Sequence, residues 1–249
     1  MNAASRLPRA MLIDMDDTIL SAYGRPEIAW NKIAAEFARE LAPLSSQQVA
    51  ASILNFARAF WATANAEWRL KLTEARREVV KGGFAALGGS AALPDELAIR
   101  LADRFTTYRE EEMFVFPGAH EAIDALKAHG VRLALVTNGA ADTQRAKIER
   151  FELAHRFDHI QIEGEHGFGK PEERAYRHAM AALGVTANET WMVGDNLEWE
   201  VEVPQRLGIY AIWMDVHGDG LPAGSTVKPD RIIRSLAELL PGAPSRHNN

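Results

Sequence analysis

Between residues 117 and 236 the chain switches regularly between short apolar runs and segments of helical period. VRLALVTNG (131–139), HIQIEG (159–164), ETWMVGDN (189–196), GIYAIWMD (208–215) and DRIIRSL (230–236) read as strands. Helices are expected from Pro117 to 129, over 142–151 and over 171–183, with Gly130 and Gly184 as stops. Such alternation predicts a parallel sheet covered on both faces. One more apolar run, AMLIDM (10–15), stands far upstream and ends in carboxylates. The block between, about 26 to 112, has another character: apolar residues recur at helical spacing, as in Ile33, Phe37 and Leu41, or Ile53, Phe56 and Phe60. It reads as about four helices, broken near Pro43-Leu44-Ser45, Arg69 to Thr73 and Gly88-Gly89-Ser90, with a helix start at Pro94-Asp95-Glu96. The expectation is an α/β protein whose first strand is separated from the others by a helical insertion.

Composition removes several classes of function. There is no cysteine, so disulfides, thiolate metal sites and a cysteine nucleophile are excluded. The net charge is -6 with both signs mixed, and no Lys/Arg block tracks a phosphate backbone, so nucleic acid is not an expected partner. No run approaches the ~18 apolar residues that cross a bilayer. The apolar stretch after Arg9 is cut short by Asp14, Asp16 and Asp17, unlike a signal-peptide core. A cytoplasmic protein with no membrane partner is expected, with PGAPSRHNN as a frayed C-terminal tail.

In an open parallel sheet, ligands gather beyond the carboxyl ends of the strands. That rule brings four distant motifs to one edge. DMDDT (14–18) places two carboxylates two residues apart at a strand end. One can attack phosphorus while its neighbour protonates the leaving oxygen, and adjacent carboxylates push their pKa values apart as those roles require. In LVTNG (135–139) the Thr137 hydroxyl and Asn138 backbone amide can bind phosphoryl oxygens. GKPEERAY (169–176) sets Lys170 before a helix, where it can neutralise that charge. GDNLEWE (194–200) offers Asp195, Glu198 and Glu200, hard oxygen ligands suited to magnesium. Each motif alone has an ordinary reading, as an acidic turn, a strand-to-loop turn, an exposed lysine or a helix start. Their order and shared address at strand ends mark them as one site.

These residues resemble the motifs of the haloacid dehalogenase superfamily. DMDDT matches its Asp-x-Asp-x-Thr, LVTNG its strand-end Ser/Thr, Lys170 its basic residue and GDNLEWE its acidic loop. FPGAHEAIDALKAHGVRLALVTNG and the GKP-to-GDN stretch are similar to the subgroup with a helical cap after the first motif. The resemblance implies a Rossmann-like core from residues 1–20 and 114–249 and a cap over 21–113. It implies a Mg²⁺-dependent phosphatase of small phosphorylated metabolites. Asp14 would form a phosphoaspartyl intermediate and ligate Mg²⁺. Asp16 would act as general acid, then base, and lend its backbone carbonyl to the metal. Thr137 and Asn138 would hold the phosphoryl group, Lys170 would balance charge and Asp195 would ligate Mg²⁺. One departure stands out: many relatives carry aspartate where this chain has Glu200, a longer carboxylate expected to reach the metal through water.

Asp16 argues against a hydrolytic dehalogenase, since halide leaves without a proton. A phosphomutase, or a non-catalytic protein that binds a phosphometabolite or a partner on this scaffold, stays open, as do monomer and homodimer. In the cap, Trp30, Trp61 and Trp68 with Arg69, Lys71, Arg76, Arg77 and Lys81 are candidates for substrate contact, although tryptophans at helical spacing usually build a core. His155 and His159 are four apart but straddle a helix end and lack a third ligand, so they are not read as a metal site.

Overall fold

The computed structural model describes residues 7–63, 66–88 and 93–242. Gly89 and Ser90 of the expected helix break, and residues 243–249 of the expected tail, lie outside the described residues. The chain forms two compact units, one from residues through Ser21 together with those from Phe114 onward, the other Ala22–Met113.

The second unit is helical: α1 (Pro26–Glu36), α2 (Ala38–Leu41), α3 (Ser46–Thr63), α4 (Ala66–Leu70), α5 (Leu72–Leu87) and α6 (Asp95–Glu111). The four or so expected helices are joined by α2 and α4, which at one turn each are too short to show a period. Pro26 occupies the first turn of α1, where a missing N–H costs nothing, and Pro94 caps α6 ahead of Asp95 and Glu96. The core of this unit includes Ile33, Leu41, Ile53, Val80 and Leu101. Trp30 is buried there and stacks on Phe105 with ring centroids 3.8 Å apart. Arg76 is also buried, donating to Thr106 Oγ1 at 3.0 Å, and Arg77 pairs with Asp103. Of the tryptophans, Trp61 is exposed and Trp68 half-buried.

Among the described residues the first unit holds eight strands: β1 (Ala10–Ile13), β2 (Leu20–Ser21), β3 (Phe114–Val115), β4 (Arg132–Thr137), β5 (His159–Ile162), β6 (Thr190–Gly194), β7 (Tyr210–Met214) and β8 (Arg231–Ile233). Six of them form a parallel sheet in the order β5-β4-β1-β6-β7-β8. β2 and β3 make a separate antiparallel ladder of two residues each, too short to read by alternation. The helices are α7 (Ala119–Ala128), α8 (Ala141–Arg150), α9 (Glu163–His166), α10 (Glu173–Leu183) and α11 (Val203–Arg206). Two expected starts are displaced: α7 begins after Pro117, with Gly118 as its cap, and α10 after Pro171, with Glu172 as its cap. The run expected as a strand to 164 leaves the sheet at Ile162 and closes into α9.

β1 is central, and all four of its residues are fully buried. Ala10 and Leu12 pack with Ala134, Val136, Tyr176 and Met192 on one face. This double burial is why the run is apolar without alternation. Ile13 pairs in register with Leu135 of β4 and Val193 of β6. Asp14, Thr137 and Asp195 therefore stand within two residues of this paired row, at the same edge, Thr137 as the last residue of β4 and the other two just past their strands. Among the described residues no helix is long and apolar enough to cross a membrane.

Candidate active site

The site begins where β1 runs out. The Asp14 N–H still bonds to Val193 O at 3.0 Å, so the carboxylate is held as firmly as the sheet. The chain then turns tightly: the N–H groups of Ile19 and Leu20 both bond to Met15 O, and that of Asp17 to Leu20 O. Asp17 has φ 58, a left-handed conformation that aspartate tolerates better than most residues. The turn returns Thr18, whose hydroxyl lies 3.3 Å from Asp14 Oδ2. The DxDDT spacing is thus a compact loop that closes on its own first carboxylate.

Lys170 reaches this carboxylate from the far side of the sequence. Its Nζ is 2.5 Å from Asp14 Oδ1 and 2.7 Å from Glu200 Oε1. Its approach is fixed by Asn138, whose Nδ2 donates to Lys170 O at 2.6 Å and whose Oδ1 accepts from Lys170 N at 2.9 Å. That reciprocal pair needs close backbone approach: a Cβ on Gly169 would lie 2.6 Å from Asn138 Oδ1. The other oxygen of Glu200 accepts from Asn196 N at 2.8 Å. Both oxygens of Glu200 are therefore engaged within the protein.

Asp195 follows β6 and is half-buried; its carbonyl accepts from Trp213 Nε1 at 2.6 Å. Asn196 caps the next segment, a single wide turn over Leu197–Glu202, by accepting from Glu198 N and Trp199 N. Burial works against the Lys170 ammonium, but Asp14 and Glu200 outweigh it and hold its pKa above that of an ordinary lysine. For the carboxyls burial prevails, and their pKa values rise as well. Burial raises Asp14 against the pull of Lys170, and raises Glu200 to about 7. Burial, then Glu200 and Asp14, raise Asp195 well above the usual carboxylate range.

Three carboxyls share one ammonium here, so the pocket carries an excess of negative charge and hard oxygen donors. A small divalent cation suits that donor set. Among the described residues no three histidine, aspartate or glutamate side chains form a closed cage. An ion that keeps several waters and takes one or two carboxylates needs none.

Two further residues belong to the site and are not evident from the motifs. Lys147 of α8 is buried, and its Nζ lies 2.8 Å from both Asp16 oxygens. Gln144, one turn earlier, points its Nε2 at Thr137 Oγ1 (2.6 Å), Asn138 O (2.8 Å) and Asp16 Oδ2 (3.0 Å). The signal was present in TQRAKIER: Gln144, Lys147 and Ile148 share one helical stripe that faces inward, and two of the three are polar. Glu163, at the start of α9, accepts from Gly139 N at 3.0 Å and so fixes the end of the TNG turn. His155 sits in a 3₁₀ turn and His159 in β5, so they share no helix face; the His159 ring instead lies 5.5 Å from His178 and 6.4 Å from His166.

The family model for haloacid dehalogenase-like hydrolases matches residues 8–208. The chain belongs to the haloacid dehalogenase-like hydrolase family. Among curated members, the phosphoserine phosphatase of Thermus thermophilus is 36% identical over 166 residues, 66% of this chain and 63% of that protein. The N-acylneuraminate-9-phosphatase of Rattus norvegicus is 37% identical over 110 residues, 44% of each. The chain thus spans less than two thirds of the length of these relatives. Among solved haloacid dehalogenase folds, the magnesium-bound hydrolase YfnB of Bacillus subtilis superposes with a TM-score of 0.67 at 24% identity, over 94% of this chain and 97% of that one.

Proposed function

We propose that the chain is a magnesium-dependent phosphatase of small phosphorylated metabolites that works through a phosphoaspartyl intermediate. The observation that carries this reading is the contact of Lys170 with Asp14 at the edge of the sheet, with a second carboxylate two residues on. The relatives named as phosphatases, and the magnesium in the YfnB structure, support it.

An Asp14 oxygen attacks phosphorus in line with the ester bond. The new O–P bond forms as the old one breaks, and Asp16 gives its proton to the departing oxygen, which leaves as an alcohol. Asp16, now a carboxylate, takes a proton from water as that water attacks the phosphoaspartyl phosphorus. The Asp14–phosphorus bond breaks, inorganic phosphate leaves and both carboxyls return to their starting state. Lys170 offsets charge on Asp14 and on the phosphoryl oxygens, where most of the catalysis lies. Gln144 donates to the Thr137 oxygen, and the Thr137 hydroxyl donates to Asn138 O at 3.5 Å, a long contact that it would exchange for a phosphoryl oxygen beside the Asn138 backbone amide.

Asp14, Asp195 and the Asp16 backbone carbonyl are the groups that would hold Mg²⁺, which when bound supplies charge stabilisation to the transferring group. Glu200 we assign instead to Lys170, since both its oxygens are engaged. To the helical unit we assign substrate choice.

The test is phosphate release from a panel of phosphorylated metabolites, with phosphoserine and sugar phosphates included, and with isomer formation and halide release followed in parallel. Asp14→Asn should bring release to background. Wild-type turnover by that variant removes the nucleophile, isomer formation without phosphate release makes the enzyme a mutase, and an inert wild type favours binding without catalysis.

A further inference from the structure

We infer that Lys147 is a positioning residue for Asp16, and that Gln144 ties this position to the phosphoryl site. The inference rests on the phosphatase reading for the role of Asp16, but not for its pose.

The geometry is specific. A lysine ammonium has three donor directions, and two are spent on the two oxygens of one carboxylate. Burying an ammonium is costly unless it is paired, and Lys147 is 8% exposed. A solvent-facing helix such as α8 has no need to turn a lysine inward for its own sake. The one that it does turn inward ends on the carboxylate expected to move the proton. Gln144 adds a second constraint. Its amide has two protons and three acceptors in range: Thr137 Oγ1, Asn138 O and Asp16 Oδ2. One acceptor must yield whenever the others are fully served, so a phosphoryl group that draws on Thr137 also alters the hold on Asp16. Lys147 keeps Asp16 within reach during that exchange. As it stands both Asp16 oxygens face α8, so proton delivery requires one of them to come off Lys147 while the other stays.

The distinguishing experiment compares esters of poor and good leaving groups. In a two-step mechanism kcat/KM covers only formation of the phosphoenzyme, the step in which the leaving group departs. An alkyl phosphate needs the Asp16 proton there; 4-nitrophenyl phosphate scarcely does. Lys147→Met should lower kcat/KM on the alkyl ester by about 100-fold, and by less than about 10-fold on the aryl ester, within the range of general-acid effects. Lys147→Arg should recover part of the difference. Equal losses on both esters would make Lys147 a structural anchor of α8 and overturn the inference. A second measurement needs no turnover. The carboxyl carbon resonance of Asp16, identified by its loss in Asp16→Asn, should move in Lys147→Met and less in Lys147→Arg. A resonance unchanged by either variant overturns the inference, whatever the protein hydrolyses. A shifted resonance in a wild type inert to both esters upholds the pose and refutes the phosphatase. Should Lys147→Met fail to fold, Lys147→Gln, which is polar but carries no ammonium, takes its place in both comparisons.

Discussion

Lys170 and Glu200 face each other as an ion pair with water almost wholly excluded: Nζ and Oε1 are 2.7 Å apart, and each side chain is 1% exposed. Removing one member of such a pair strands the other. Glu200→Ala should destabilise the protein by about 3–5 kcal/mol in denaturant unfolding, and Glu200→Gln, which keeps the shape and an acceptor, by less. If Glu200 served the metal instead, the alanine variant would lose magnesium affinity with little change in unfolding.

Gly194 stands immediately before Asp195, and a Cβ there would lie 2.1 Å from Glu200 Cγ. Gly194→Ala should therefore displace Glu200, at about 1–3 kcal/mol, the usual range for overpacking. The decisive measurement is the double variant. Gly194→Ala with Glu200→Ala should cost clearly less than the two single changes added together, because the smaller side chain removes the clash. Additive costs would mean that the glycine serves something else.

The crowding of Asp14, Asp195 and Glu200 around one ammonium predicts that a divalent cation stabilises the fold. Magnesium at about 100 times its Kd should add about 2.7 kcal/mol, seen as a higher Tm that a chelator reverses. Asp195→Asn should remove most of that gain. A Tm indifferent to magnesium in the wild type would refute the proposed ligand set.

His159 offers a test at the far side of the β5 edge. Burial, then the neighbouring His178 and His166, lower its pKa below that of an ordinary histidine. The unfolded chain thus takes up a proton near pH 6.5, before the folded one does. The stability tied to neutral His159 is present above that value and is lost as pH falls below it. Between about pH 7.5 and about pH 5.5 the wild type should lose more in Tm than His159→Leu does. Equal slopes would show that the ring is not held neutral.

The four motifs were legible because each is local. An apolar run that ends in Asp14, or a strand that ends in Thr137 or Asp195, declares both its element and its exposed end within a few residues. The parallel sheet was legible for the same reason, since alternation of periods is a property of consecutive residues. Legibility failed at short range in α2, α4 and the β2–β3 ladder, where one turn or two residues leave no period to detect.

What the chain's order of residues determined by itself was therefore the α/β architecture, the helical insertion and the membership of the strand-end set. What only the tertiary structure decided was who holds whom. Glu200, expected to reach the metal through water, grips Lys170 and accepts from Asn196 N; Asn138, expected to hold the phosphoryl group, also brackets the Lys170 backbone. Lys147 and Gln144 belong to none of the four motifs, and only the packing of α8 brings them onto Asp16 and Thr137. The physical reason is common to all of them. A hydrogen bond or ion pair made by tertiary packing leaves no periodic trace along the chain, whether its partners stand 32 positions apart like Asn138 and Lys170 or 131 apart like Asp16 and Lys147, and each partner is selected only when packing brings the two groups together in a place too dry for either to remain alone.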